Sequence, residues 1–199
     1  NLFIRILNIS SVLTMGPLHS VVYIGKKEKQ KKGQKEMELH VEPINDKNRE
    51  SAVQLKTGPG QEHFVEDVKQ CLSEADSNPS WRPVGIYDGS TLVGFAMYGY
   101  FREYRPEGRV WLDRLLIDRH FQGNGYGTEA LRMLLGRLSG EYGCRRIYLS
   151  IIEENETAAK LYEKFGFRFN GERDINDEKV MVLELPAGIT LSSSWRKFE

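Results

Sequence analysis

Cysteine is scarce in this chain of 199 residues: there are two, Cys71 and Cys144. They are too few and too far apart for a disulfide framework or a paired-cysteine metal site, which excludes the small stapled scaffolds of secreted proteins and suits a reducing cytoplasm. No spacing of His, Cys, Asp and Glu resembles a ligand set, and no metal is expected. Net charge is lacking too, since 28 basic residues balance 28 acidic ones. Long apolar runs are missing. The most apolar stretch, "NLFIRILNISSVLTMGPLHSVVYIG", is interrupted by Asn8, Ser10, Ser11, Thr14 and the Gly16-Pro17 pair. It falls short of the ~20 apolar residues that a membrane span needs, and it carries only fragments of a signal peptide. Neither a membrane span nor secretion is expected.

The zero net charge conceals an uneven distribution. Residues 26–36, "KKEKQKKGQKE", hold six Lys and two Glu, whereas residues 37–185 hold 25 acidic and 19 basic residues. An acidic body argues against a nucleic-acid surface and for a cationic partner, although a modest negative charge also serves solubility alone. The chain begins with Asn, and its first strongly patterned segment begins at Met37. Three regions are therefore expected: a non-native or disordered leader over 1–36, one folded domain over 37–185, and an unpatterned tail over 186–199. The competing reading of the leader is an apolar and polybasic anchor on a membrane surface.

Hydrophobic periodicity outlines the domain. "MELHVEP" alternates as a strand, and "DKNRESAVQL" and "EHFVEDVKQCLSEA" read as two short helices around the Gly58-Pro59-Gly60 turn. "RPVGIYDGSTLVGFAMYGYF" reads as a hairpin about Asp88-Gly89. In "RVWLDRLLID", strict alternation places Trp111, Asp113, Leu115 and Ile117 on one face. Next come a glycine loop, a helix with Leu131, Leu134, Leu135 and Leu138 on one stripe, and the strand "RRIYLSII". Asn155 can cap the helix "ETAAKLYEKF", Gly166 can end it, and two strands close the chain around Asn176-Asp177. The order β-α-α-β-β-β-α-β-α-β-β specifies an α/β chain with a mixed, α+β type of sheet whose first half is antiparallel.

The glycine loop, "QGNGYGTEALRMLL", admits three ligand readings. A P-loop needs Lys after its last glycine, and none is there. Gly125-x-Gly127-x-x-Ala130 matches a dinucleotide fingerprint, and Glu153 ends the next strand where a ribose-binding acid would sit. However, Arg119 to Gln122 separate the glycines from the preceding strand, and too few βα units remain for that fold. The third reading is an anion cradle, in which a helix start offers free amides and the positive end of its dipole to a pyrophosphate. A glycine-rich turn without a ligand is the plain alternative.

Gln122-Gly123-Asn124-Gly125-Tyr126-Gly127 after "LLID", with "ENETAAKLYEKFGF" further on, resembles the acetyl-CoA-binding core of the GNAT N-acetyltransferases. The wider text from "PVGIYDGSTLVGFAMYGYF" to "RRIYLSI" is similar to the bacterial spermine/spermidine acetyltransferases. The resemblance spans roughly residues 37–185, and implies an enzyme of the GNAT fold, acetyl-CoA as co-substrate and a polyamine as acceptor. It implies direct attack of an amine on the thioester, and often a homodimer.

Residue roles follow from the same resemblance. Backbone groups of Leu115, Leu116 and Ile117 would pair with the pantetheine arm, and the amides of Gln122, Gly123, Asn124, Gly125, Tyr126, Gly127 and Thr128 would hold the pyrophosphate. Asn155 would cap its helix and touch the cofactor. Tyr162 would protonate the departing thiolate, a role that a phenol of pKa ~10 suits; on an apolar helix face it also reads as a core residue. A charged amine also needs a carboxylate to attract it, and Asp113, on the face expected for Leu115 and Ile117, is the first candidate for amine binding or general base, followed by Glu103 and Glu153 at strand ends, each of which also reads as a solvated charge. Arg114 and Arg119 flank the loop and could meet phosphates. His63 and His120 read as surface residues, and Cys144 has no partner for an acyl-enzyme. Another amine acceptor (an amino sugar, an amino acid or a protein N-terminus) and a non-catalytic acyl-CoA sensor are the alternatives.

Overall fold

The computed structural model describes residues 37–104 and 106–185; the expected leader and tail lie outside them. The elements run β1 (Leu39–Pro43), α1 (Arg49–Val53), α2 (Val68–Ser77), β2 (Trp81–Asp88), β3 (Thr91–Phe101), β4 (Arg109–Ile117), α3 (Tyr126–Tyr142), β5 (Arg146–Ile151), α4 (Glu156–Lys164), β6 (Arg168–Arg173) and β7 (Lys179–Glu184). This is the expected order. All seven strands form one sheet, β1-β2-β3-β4-β5-β7-β6. Every pairing is antiparallel except β4 with β5, which α3 connects.

The helices cover both faces of the sheet, which explains why "VGFAMYGYF" in β3 is apolar throughout rather than alternating. Ala96 and Tyr98 pack with Leu131, Leu134, Leu135 and Leu138 of α3. Phe95 and Met97 point the other way, against Ala52 of α1 and Val68 and Leu72 of α2. A third cluster, Phe101, Trp111, Tyr148 and Val180, continues the α2 face, with Trp81 packed against both.

α2 starts later than its periodicity suggests. Residues 62–65 form a turn and a bend, and the helix begins where Asp67 accepts the Gln70 amide at 2.8 Å. That carboxylate satisfies one of the orphan donors of the first turn.

Two features of β4 set up the site. Opposite Met97 and Tyr98 of β3, the register passes from Arg114 to Leu112, so Asp113 is an extra residue without a partner. Such a bulge breaks the alternation and turns neighbouring side chains to one side. Trp111 and Arg114 consequently lie on the α2 face, whereas Leu115 and Ile117 pack toward α3. The expectation that Trp111, Asp113, Leu115 and Ile117 share one face is thereby corrected. In addition, β4 and β5 pair only at Val110 with Ile147 and Trp111 with Tyr148. Beyond these pairs the strands part, leaving a slot through the sheet.

Candidate active site

One wall of the slot is the far half of β4. Leu115, Leu116 and Ile117 pair with Ala96, Phe95 and Gly94 of β3, and their other edge has no strand on it. An extended ligand bearing amides can add to such an edge. The Ile117 carbonyl already accepts from Gln122 Nε2 at 3.0 Å, and the same nitrogen donates to Gln61 Oε1 at 2.9 Å. The Gln122 side chain therefore ties the glycine loop to the strand end and to the chain before α2.

The loop keeps its amides free. Gly123 and Gly125 take φ of 77° and 89°, a left-handed backbone that only glycine adopts readily. Among the described residues, no hydrogen bond engages the amides of Gln122, Gly123, Asn124, Gly125, Tyr126 or Gly127. Thr128 differs from expectation: its N–H donates to the Gly125 carbonyl at 3.0 Å, so its amide is already used in the first turn of α3. Asn124 folds its amide back onto the Gln122 carbonyl at 3.1 Å, and the Tyr126 hydroxyl bonds to Asp88 at 2.8 Å, anchoring α3 to the β2–β3 turn. Six unengaged amides at the start of a 17-residue helix fit a pyrophosphate.

Asp118, which sequence reading did not single out, braces the loop from behind. Burial alone would raise its pKa; the amides of Lys56 and His120 and the His120 ring outweigh burial and hold the carboxyl below its usual range. His120 is thus occupied in this brace through Nδ1.

On the same side of the sheet as α3, α4 packs Ala159, Leu161, Tyr162 and Phe165 against the main core. Asn155 caps α4 through the Ala158 amide at 3.1 Å. The Tyr162 ring meets Phe167 edge-on, with centroids 5.8 Å apart. Burial pushes its phenol up to about 12, and no described residue hydrogen-bonds its hydroxyl.

The opposite face of the slot is acidic. Asp113, turned by the bulge away from Leu115 and Ile117, lies 2.5 Å from Arg114 Nη1. Arg114 Nε lies 2.6 Å from Glu66, and its Nη2 lies 3.7 Å from Glu74 of α2. Glu178, just before β7, is half-buried and falls on the same face as Ser150 of β5, whose hydroxyl lowers its pKa while Glu66 raises it and Arg114 lowers it. Three carboxylates therefore surround one guanidinium, with Glu178 near them. Burial chiefly, then Glu66 and Glu74, push Asp113 up to about 6 against the opposing pull of Arg114.

Other expected residues fall elsewhere. Arg114 is a buried counter-ion, with 14% of its side chain exposed, and not a loop-flanking phosphate ligand. Glu103 is exposed in the turn after β3, at the end of β4 remote from the slot. Glu153 follows β5 but is taken by Lys179 at 2.6 Å and Arg173 at 3.4 Å, which lower its pKa, Lys179 contributing most. Burial raises the thiol pKa of Cys144 and takes that of Cys71 to about 12, so neither is a ready thiolate. Glu66, Glu74 and Glu178 were missed because they come from separate elements. The Asp67-x-x-Gln70 cap, which fixes where Glu66 ends its loop, was the available local signal.

The profile of the acetyltransferase (GNAT) family matches residues 45–167, a span that includes both slot walls, the glycine loop and α4. The chain belongs to the GNAT acetyltransferase family. It is an acetyl-CoA-dependent N-acetyltransferase. A spermine/spermidine N(1)-acetyltransferase of Bacillus subtilis is 47% identical over 152 residues, covering 75% of this chain and the whole of that protein. A probable spermine N(1)-acetyltransferase of Bacillus subtilis subsp. natto matches to the same extent. Among solved structures, the GNAT fold recurs in the spermidine N-acetyltransferase of Vibrio cholerae in complex with CoA and spermine. Its TM-score is 0.58 at 18% identity, covering 73% of this chain and 95% of that one.

Proposed function

We propose that this GNAT enzyme acetylates a primary amine of a polyamine such as spermine or spermidine, by direct transfer with both substrates bound. The observation that carries the reading is the pairing of a polycation-sized negative charge with the slot. Asp113, Glu66, Glu74 and Glu178 offset one Arg114, which leaves a net charge of about −3 for ammonium groups to neutralise. The names of the Bacillus relatives, which match along their full length, point the same way.

The two faces of the slot divide the work. The amides of residues 122–127 bind phosphate oxygens, and the unpaired edge of Leu115 to Ile117 aligns the pantetheine arm so that the acyl end enters the slot. Acetyl-CoA, when bound there, supplies the thioester carbonyl that an amine attacks. From the α2 face, Asp113, Glu66 and Glu74 hold ammonium groups, while Arg114 keeps like charges together in the absence of substrate. Tyr162, whose phenol stays protonated at neutral pH, has a proton to give a departing thiolate.

The test is thiol release from acetyl-CoA across spermine, spermidine, putrescine, amino sugars and short peptides. Turnover led by the long polyamines supports the reading, and turnover confined to another amine replaces it. Acetyl-CoA binding without any turnover indicates a sensor.

A further inference from the structure

An amine of pKa ~10 enters as an ammonium ion and must lose a proton before its nitrogen can attack. Asp113 is poorly placed to take that proton, because Arg114 lies 2.5 Å from its carboxylate. Glu66 and Glu74 share the same guanidinium, and Glu153 is held by Lys179 and Arg173. Glu178 differs from all of these. Among the described residues no cation lies within ion-pairing distance of it, and the Ser150 hydroxyl on the neighbouring strand favours its charged form.

The topology brings Glu178 to the slot. β7 runs antiparallel to β5, with Ser150 opposite Val180 and Ile151 opposite Lys179. Ile147, Leu149 and Ile151 of β5 face the α3 core, so Ser150, in phase with Tyr148, faces the α2 side where the carboxylates gather. Ser150 also lies beyond the last paired residue, Tyr148, where β5 has already left β4. The backbone of Glu178 is fixed as well. Its N–H donates to Asp174 Oδ1 at 3.0 Å, and its carbonyl accepts from the Asp174 N–H at 3.1 Å.

We infer that Glu178 is the general base of the acetyl transfer and that Ser150 is its positioning residue. The ammonium passes one proton to the Glu178 carboxylate, giving a neutral amine and a carboxylic acid, and the freed lone pair forms the C–N bond. The groups that face Glu178 suit this role. Burial raises its proton affinity, the Ser150 hydroxyl opposes that, Asp174 and Glu66 raise it further, and Arg114 lowers it. The inference rests on amine acetylation by this family and on the acceptor entering from the acidic face. It does not require that the amine be a polyamine.

The experiment compares the full-length wild type with Glu178→Gln and Ser150→Ala, using the best amine of the panel. Rates are measured from pH 5.5 to 9.5, and CoA binding by calorimetry confirms that each variant is folded. Glu178→Gln is expected to lower kcat about 100-fold, within the range for a lost general base, and to abolish the acidic limb of the kcat/KM profile. CoA affinity should be unchanged. Ser150→Ala should move that limb to higher pH, because the lost hydrogen bond had favoured the charged carboxylate. An acceptor amine of low pKa, already neutral at the assay pH, should recover most of the rate in Glu178→Gln, which a structural defect would not permit. Retention of the acidic limb with kcat within twofold of wild type would overturn the assignment. So would an equal loss for high- and low-pKa amines. If the wild type turns over a different amine and no polyamine, the substrate reading falls while the Glu178 comparison is made on that amine.

Discussion

Asp113→Asn removes a charge that the fold holds unfavourably. Burial is the main reason that this carboxyl rises from 3.8 to about 6, with Glu66 and Glu74 adding to it and Arg114 opposing. A carboxyl with a higher pKa in the folded than in the unfolded chain binds its proton more tightly when folded. Between about pH 4 and pH 6 the native state therefore holds more protons than the unfolded one, and stability falls as pH rises through that window. Two pKa units correspond to about 3 kcal/mol lost by neutral pH. Asn keeps the shape but gives up the attraction to Arg114, which retains Glu66 and Glu74. The net gain expected at pH 7.5 is about 1–2 kcal/mol, which for a domain of this size is roughly 2–8 °C in Tm. At pH 4.5, where the group is largely protonated in the folded state but mostly ionised in the unfolded chain, the difference should shrink to about a third of its value at pH 7.5. The same variant should need about tenfold more spermidine to reach half-maximal rate, the loss of one charge-assisted contact. Thermal denaturation at the two pH values, without ligand, makes the measurement. A variant that is less stable than wild type at pH 7.5 would show that the Arg114 pairing outweighs burial, contrary to the reasoning.

Tyr162→Phe should lower kcat by about 10- to 100-fold while CoA binding, read by calorimetry, stays within twofold, since the phenol is assigned a proton and no phosphate. Gly125→Ala should weaken CoA binding at least tenfold and cost about 1 kcal/mol of stability, because φ of 89° is unfavourable for any residue with a Cβ; unchanged affinity would remove the loop from the site. Asp118→Ala leaves the Lys56 and His120 amides without their acceptor and should cost about 2–4 kcal/mol in urea unfolding. The KM for spermine should rise with NaCl more steeply than the KM for putrescine, as screening of several charges requires.

Much of the fold is written locally. The Asp88-Gly89 hairpin, the Leu stripe of α3 and the stop at Gly166 each depend on residues adjacent in sequence, and each forms where its pattern indicates. The glycine loop is legible for the same reason, since its amides, its left-handed residues and its helix all lie within "QGNGYGTEALRMLL". The acidic face is not legible. One extra residue at Asp113 reverses the pleat halfway along β4, and nothing in "RVWLDRLLID" marks where alternation fails. Glu66 and Glu74 meet Arg114 only because α2 packs across β3 and β4, and Glu178 comes to the same face only because β7 lies beside β5. Such convergence belongs to topology. The late start of α2 was readable, as Asp67 and Gln70 stand at capping distance.

The central claim is that donor and acceptor meet in one slot from opposite faces, which demands that both be bound before chemistry. Initial rates over a grid of acetyl-CoA and spermidine concentrations test it most directly. Double-reciprocal lines that intersect are the predicted result, with no acetyl group found on the protein by mass spectrometry after incubation with acetyl-CoA alone. Parallel lines together with a protein-bound acetyl group would contradict the account, because they would require a covalent acyl-enzyme and separate visits by the two substrates.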